Sequence, residues 1–149
     1  MKKKTAYILI VLLTLFLAAC GNKVSERVFE AEKNGVKVTT TYEHKGDEVL
    51  KQKTKSVIGY EAIGATSEDE AKQIMDMFSA GYEELDGVDY KLEYGDSEVT
   101  ENITVHYDEM DLEEAKEIPE LNITGDVSNG ISMEKTAEFM EDQGFTEVE

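Results

Sequence analysis

The chain has 149 residues, with 33 Asp+Glu against 15 Lys+Arg, a formal net charge of −18, one Cys, one Pro and no Trp. The length suits one domain with a tail. The charge speaks against recognition of DNA or RNA through phosphates, which draws on an excess of Lys/Arg, and a single Cys excludes an internal disulfide and a thiolate zinc cluster.

Met1-Lys2-Lys3-Lys4 is a basic start, followed from Ala6 to Ala19 by fourteen uncharged, mostly aliphatic residues. As a helix they would reach roughly 21 Å, short of the ~30 Å hydrocarbon core of a bilayer. Length and flank fit a secretory signal peptide better than a membrane span. The stretch ends Leu17-Ala18-Ala19-Cys20-Gly21, which resembles the bacterial lipobox. The resemblance implies that residues 1–19 are a lipoprotein signal peptide. It also implies that Cys20 is lipidated and becomes the mature N-terminus. A single acyl chain anchors marginally, and two or more hold stably. The assignment uses the only thiol and leaves none for catalysis. Removing Lys2, Lys3 and Lys4 takes the charge from −18 to −21.

Residues 20–26 read as a short lipidated tether and 27–149 as one α+β domain. Asn34-Gly35 between Arg27–Lys33 and Val36–Lys45 is a two-residue hairpin signal, since a type I′ turn needs positive φ twice. That loop pairs Lys33 with Val36, Ala31 with Val38, Phe29 with Thr40 and, on the solvent face, Glu32 with Lys37. The apolar face then carries Phe29, Ala31, Val36, Val38 and Tyr42. Gly46-Asp47 marks the next turn, before a third strand from Glu48 to Tyr60. A two-residue turn would place Lys51, Lys53 and Lys55 on the apolar face. A three-residue turn, Gly46 to Glu48, places Leu50, Ile58 and Tyr60 there and is the expected one. Gln52, Thr54 and Ser56 then also face inward, so this part of the core is expected to be polar or partly covered.

Ser67-x-x-Glu70 fits a capping box. The stripe Ala71, Ile74, Met75, Phe78, Tyr82 and Leu85 predicts an amphipathic helix that ends at Gly87. Val88–Tyr94 and Val99–Tyr107 alternate around Gly95-Asp96 as a second hairpin. Asp111–Ile118 predicts a short acidic helix stopped by Pro119, and Leu121–Gly130 a loop. Ser132 caps a last helix, Met133–Asp142, with Ala137 and Met140 inward and a Schellman ending at Gly144-Phe145. The order is β-β-β-α-β-β-α-α, an antiparallel sheet with helices packed mainly on one face.

Residues 21–60 hold eight Lys/Arg and six Asp/Glu, a net of +2, whereas residues 61–149 hold four Lys and 27 Asp/Glu, a net of −23. The membrane-proximal third is nearly neutral and the rest strongly acidic. His44 and His106 are the only histidines and fall on expected strands. No nucleophile, zinc or phosphate-loop motif is present, so neither a catalytic residue nor a metal or cofactor is expected. The acidic run Asp108, Glu109, Asp111, Glu113 and Glu114 and the loop Gly125-Asp126-Val127-Ser128-Asn129-Gly130 lack the ligand spacing of a Ca²⁺ loop. Lys51, Lys53 and Lys55 are a basic stripe and a candidate contact with anionic headgroups or an acidic wall polymer.

The lipobox followed at once by a domain of this size resembles the YehR-like bacterial lipoproteins. So do Asn34-Gly35-Val36-Lys37-Val38-Thr39-Thr40-Thr41-Tyr42, Lys45-Gly46-Asp47, Lys51-Gln52, Gly87-Val88-Asp89-Tyr90-Lys91 and Gly144-Phe145. The resemblance implies an extracytoplasmic α+β domain of unknown function and carries over no catalytic or binding residue. The expectation is a membrane-anchored envelope lipoprotein acting as a non-catalytic binding or accessory module. It would use an exposed sheet face or the helix–sheet crevice for an envelope-protein or cell-wall partner. The alternative is a small extracytoplasmic hydrolase using Asp/Glu with His44 or His106.

Overall fold

Three strands, Val24–Lys33 (β1), Val36–Lys45 (β2) and Glu48–Gly59 (β3), open the chain in this computed structural model, which describes residues 23–82 and 85–148. The expected signal peptide and Cys20 lie outside the described residues. Strand β1 starts at Val24 and so includes residues expected in the tether. The Asn34-Gly35 turn has φ of 54° and 80°, the paired positive values of a type I′ turn. The pairs Lys33–Val36, Ala31–Val38, Phe29–Thr40 and Glu32–Lys37 follow as expected.

The next turn corrects the expected register. Lys45 pairs with Glu48, so the loop is the two-residue Gly46-Asp47. A bulge then shifts the pairing from Glu43–Lys51 to His44–Val49 and skips Leu50. The extra residue flips the phase of the strand, keeping the three lysines on the open face. Val49 is buried in the place foreseen for Leu50.

Helix α1, Glu68–Ser79, is capped by Ser67, whose Oγ accepts from Glu70 N at 3.3 Å. Glu70 completes the cap on Thr66, accepting from its N and Oγ1 at 2.7 Å each. The helix stops well before Gly87. Its buried line is Ala71, Met75 and Ser79, while Phe78, expected inward, is 63% exposed. Tyr82 lies past the helix end and stacks on Tyr90, centroids 5.6 Å apart.

Strands β4 (Val88–Tyr94) and β5 (Glu98–His106) form the second hairpin. Helix α2, Leu112–Ala115, is shorter than expected, with Asp111 as its cap and a 3-10 turn at Pro119–Leu121 beyond it. Helix α3 spans Met133–Asp142 as the sequence predicts, with Ser132 Oγ accepting from Lys135 N at 3.2 Å. Its Schellman ending is made by Phe145 N to Met140 O and Gly144 N to Glu141 O, at 3.0 and 2.9 Å. Two short strands escape periodicity, Ile131–Ser132 (β6) and Thr146–Val148 (β7).

The seven strands form one antiparallel sheet in the order β4-β5-β3-β2-β1-β7, with β6 beside β3. The helices cover one face, giving the α+β fold. Two apolar clusters lie beneath them. One gathers Phe29, Tyr42, Val105, Tyr107, Leu121 and Met140, and the other Tyr60, Ala71, Met75 and Val99. Register places Thr40 opposite Thr54 and Ser56 opposite Glu101 between the clusters. A polar band therefore crosses the covered face. No helix among the described residues is long and apolar enough to span a membrane.

Candidate functional site

The polar band becomes the floor of a cavity of about 410 Å³. Sheet residues Val38, Thr40, Tyr42, Gln52 and Thr54 form its base, and Tyr107 closes one side. The segment Glu120–Val127 and helix α3, through Lys135, Thr136, Phe139 and Met140, form the other walls. The segment is held down by buried Leu121 and Val127, with Ile123 packed on the core. Helix α3 is fixed from the sheet itself. Asp47 O accepts from Met133 N at 2.6 Å, and Asp47 Oδ1 accepts from Glu134 N at 2.8 Å. The β2–β3 turn thus caps the helix that roofs the cavity. The Glu134 N–H foremost, and then the Ser132 hydroxyl, hold the Asp47 carboxyl below its ordinary pKa.

The floor is a chain of neutral side chains. Tyr107 Oη donates to Gln52 Oε1 at 2.7 Å, and Gln52 Nε2 donates to Thr54 Oγ1 at 3.1 Å. The hydroxyls of Thr54 and Thr40 share one bond at 3.4 Å. Tyr42 Oη reaches Met140 Sδ at 3.4 Å. Burial pushes the Tyr42 phenol up to about 12 and raises that of Tyr107 as well. Both stay neutral at physiological pH. The charged residues that line the cavity are Glu120, Asp126 and Lys135, all exposed. The site therefore offers hydrogen bonds and apolar wall without an ionised group at its floor.

The other candidate residues lie elsewhere. Lys51, Lys53 and Lys55 stand on the open sheet face, not in the cavity. Glu43 pairs with Lys53 and lies 3.9 Å from Lys51. The Lys53 hydrogen bond is the main reason the Glu43 carboxyl sits below its ordinary pKa. Among the described residues Lys55 makes no ion pair.

His44 Nδ1 lies 2.7 Å from Gly46 O and serves its own turn. His106 Nε2 lies 2.9 Å from Asp89 Oδ2, but Asp89 is 80% exposed and the pair sits on the sheet surface, outside the cavity. His106 Nδ1 is enclosed without a hydrogen-bond partner, 4.0 Å from Glu109. His106, Asp108 and Glu109 bring three ligand-type atoms within 4.8 Å of one another. Of the other acidic residues, Asp111 accepts from Glu113 N and Glu114 N as a helix cap. In the 125–130 loop Asp126 Oδ1 accepts from Ser128 N at 2.9 Å, an Asx turn.

The inward Gln52 and Thr54 were legible in the sequence as a polar patch under partial cover. Tyr107 is expected only as a strand end, and Leu121–Gly130 only as a loop without the ligand spacing of a Ca²⁺ site. Only the alternation of Leu121, Ile123 and Val127 with polar residues hints that this segment lies against a core.

The family described as "Protein of unknown function (DUF1307)" matches residues 25–146. The uncharacterised lipoprotein Lmo0207 of Listeria monocytogenes is 34% identical over 99% of this chain and 97% of its own. The uncharacterised lipoprotein YehR of Escherichia coli is 36% identical over 91% of this chain and 90% of its own. The NMR structure of E. coli YehR superposes with a TM-score of 0.73 at 34% identity, covering 86% of this chain and 93% of that one. A Streptococcus pneumoniae protein solved by NMR gives 0.57 at 15% identity over 87% and 88% of the two chains, and shares the fold alone. The chain belongs to the DUF1307 family, whose relatives include the uncharacterised lipoprotein YehR.

Proposed function

We propose that the protein is a bacterial envelope lipoprotein, held outside the cytoplasm by lipid on Cys20, that works as a non-catalytic binding module. Residues 1–19 are its signal peptide, and the domain from β1 onward carries the binding site. The lipobox and the lipoprotein names of the relatives support the anchor. The observation that carries the binding role is the cavity of about 410 Å³ under α3. Apolar walls with a few convergent polar groups are the usual make-up of a ligand site. The surface position of His106 and Asp89 gives a hydrolase reading no cleft to work in.

Two measurements test this. Cells fed an alkyne fatty acid should label the wild type and not Cys20→Ala, and the variant should leave the membrane fraction. Equal labelling of both rejects the anchor. A photo-crosslinking residue at Phe139, which lines the cavity and is 47% exposed, should capture a discrete adduct in living cells. An adduct pattern unchanged when the cavity is filled by Thr54→Phe rejects the binding site.

A further inference from the structure

The cavity floor holds more donor protons than its own bonds use. Thr40 and Thr54 own two hydroxyl protons, and their mutual bond uses one of them. Gln52 Nε2 owns two, and its bond to Thr54 uses one. The oxygen of Gln52 accepts from Tyr107 and keeps a second lone pair. Whichever way the Thr–Thr bond runs, one hydroxyl proton and one amide proton remain without a protein acceptor among the described residues. Thr40 is 2% exposed, so its side chain has little access to bulk water. Two donors are thus spare beside free lone pairs, and all of these groups are neutral.

We propose that the cavity binds an uncharged acyl compound, an amide or ester whose carbonyl oxygen accepts from the Thr40/Thr54 pair and Gln52. This rests on the binding role proposed above and names its ligand class. A carbonyl supplies two lone pairs for the two spare donors. The attached hydrocarbon lies against Ile123, Phe139 and Phe145, which line the same cavity. Desolvation argues against the ionised alternatives. A carboxylate would be desolvated over a floor with no cation, and the chain's net charge of −18 repels it on approach. An ammonium would be desolvated over a floor with no carboxylate.

The test is a methyl-NMR titration of the acylated protein in nanodiscs with three probes of one chain length: hexanamide, hexanoate and hexylammonium. Hexanamide should shift the Thr40, Thr54 and Met140 methyl signals saturably, and at least tenfold more tightly than the other two. Thr40→Val with Thr54→Val keeps the branched shape and removes both hydroxyls. It should weaken hexanamide tenfold while leaving the remaining spectrum folded. An acyl chain can come from solution or from the bilayer, so the titration is repeated on Cys20→Ser without nanodiscs. Binding in both preparations assigns a free ligand. Binding only without the bilayer, with the same methyls already shifted in nanodiscs, assigns an acyl chain of the membrane. Hexanoate binding more tightly than hexanamide, with loss in Lys135→Gln, overturns the proposal in favour of an anion site. Unchanged hexanamide affinity in the double valine variant also overturns it, as does binding of no probe in either preparation. The crosslinking at Phe139 uses no probe, so it reports on the binding role separately.

Discussion

At one end of the covered face, Val36, Ile58 and Val99 stand in register across β2, β3 and β5, and α1 seals Ile58 and Val99 with Ala71 and Met75. Toward the other end the equivalent positions are Thr40 with Thr54, then Tyr42 with Gln52, and α3 leaves a cavity above them. The two ends share one sheet and similar helices. They differ in what the strands place beneath the helix. Where the row is apolar, a short helix closes on it even with Met77 and Phe78 left 73% and 63% exposed. Where the row is polar, closing on it would bury donors without acceptors, which costs more than the contact returns. The cavity is thus written into the strand sequence rather than into the roof.

The comparison breaks hardest at Phe29, which is fully buried and edge-on to Tyr42 at 5.9 Å. Phe29→Ala should cost about 4 kcal/mol in urea denaturation. Met75→Ala at the sealed end should cost less, about 2–3 kcal/mol, because that cluster is smaller. Hydrogen exchange should show the α1 amides opening below the global free energy while those of β2 and β3 exchange only by global unfolding. A larger loss at Met75 than at Phe29 would reverse the ranking of the two clusters.

The cap of α3 comes next. Ser132→Ala should cost about 1 kcal/mol. Asp47 adds a pH signature. Its folded pKa is lowered, chiefly by the Glu134 N–H. Its contribution is therefore complete above the ordinary carboxylate value of about 4 and is lost as pH falls through the lowered one. Asp47→Asn should be less stable than wild type at pH 7, and the gap should narrow toward pH 2. A gap that does not change with pH would remove the carboxylate from the cap. At the alkaline end the Tyr42 phenol, raised to about 12, stabilises the fold below pH 10. That stability is lost as pH rises from 10 through 12, with phenolate absorbance appearing late. The smallest effect belongs to the open face, where Lys53→Gln should cost under about 0.5 kcal/mol.

Local chemistry made much of the fold legible. Asn34-Gly35, Ser67 with Glu70, and Ser132 with Gly144 each act within a few residues, and each element they start or stop lies where they put it. The failures depend on distant neighbours. The bulge at Leu50 answers a conflict between a two-residue turn and the face that the lysines must avoid, and a single strand does not show which way that conflict is resolved. Helix α1 ends at Ser79, and Tyr82 beyond it stacks on Tyr90 far along the chain. Strands β6 and β7 are too short to show a period. Half of the site was visible, as inward Gln52 and Thr54. The Tyr107 wall and the Asp47 cap required the tertiary fold.

The central claim is that the covered face with its cavity is the working surface and the open face is not. The direct measurement is paired photo-crosslinking in living cells, from Phe139 at the cavity and from Thr100 on the open face. The account predicts a discrete adduct from Phe139 that is lost with Thr54→Phe, and only diffuse background from Thr100. A discrete adduct from Thr100, with none from Phe139, would contradict it.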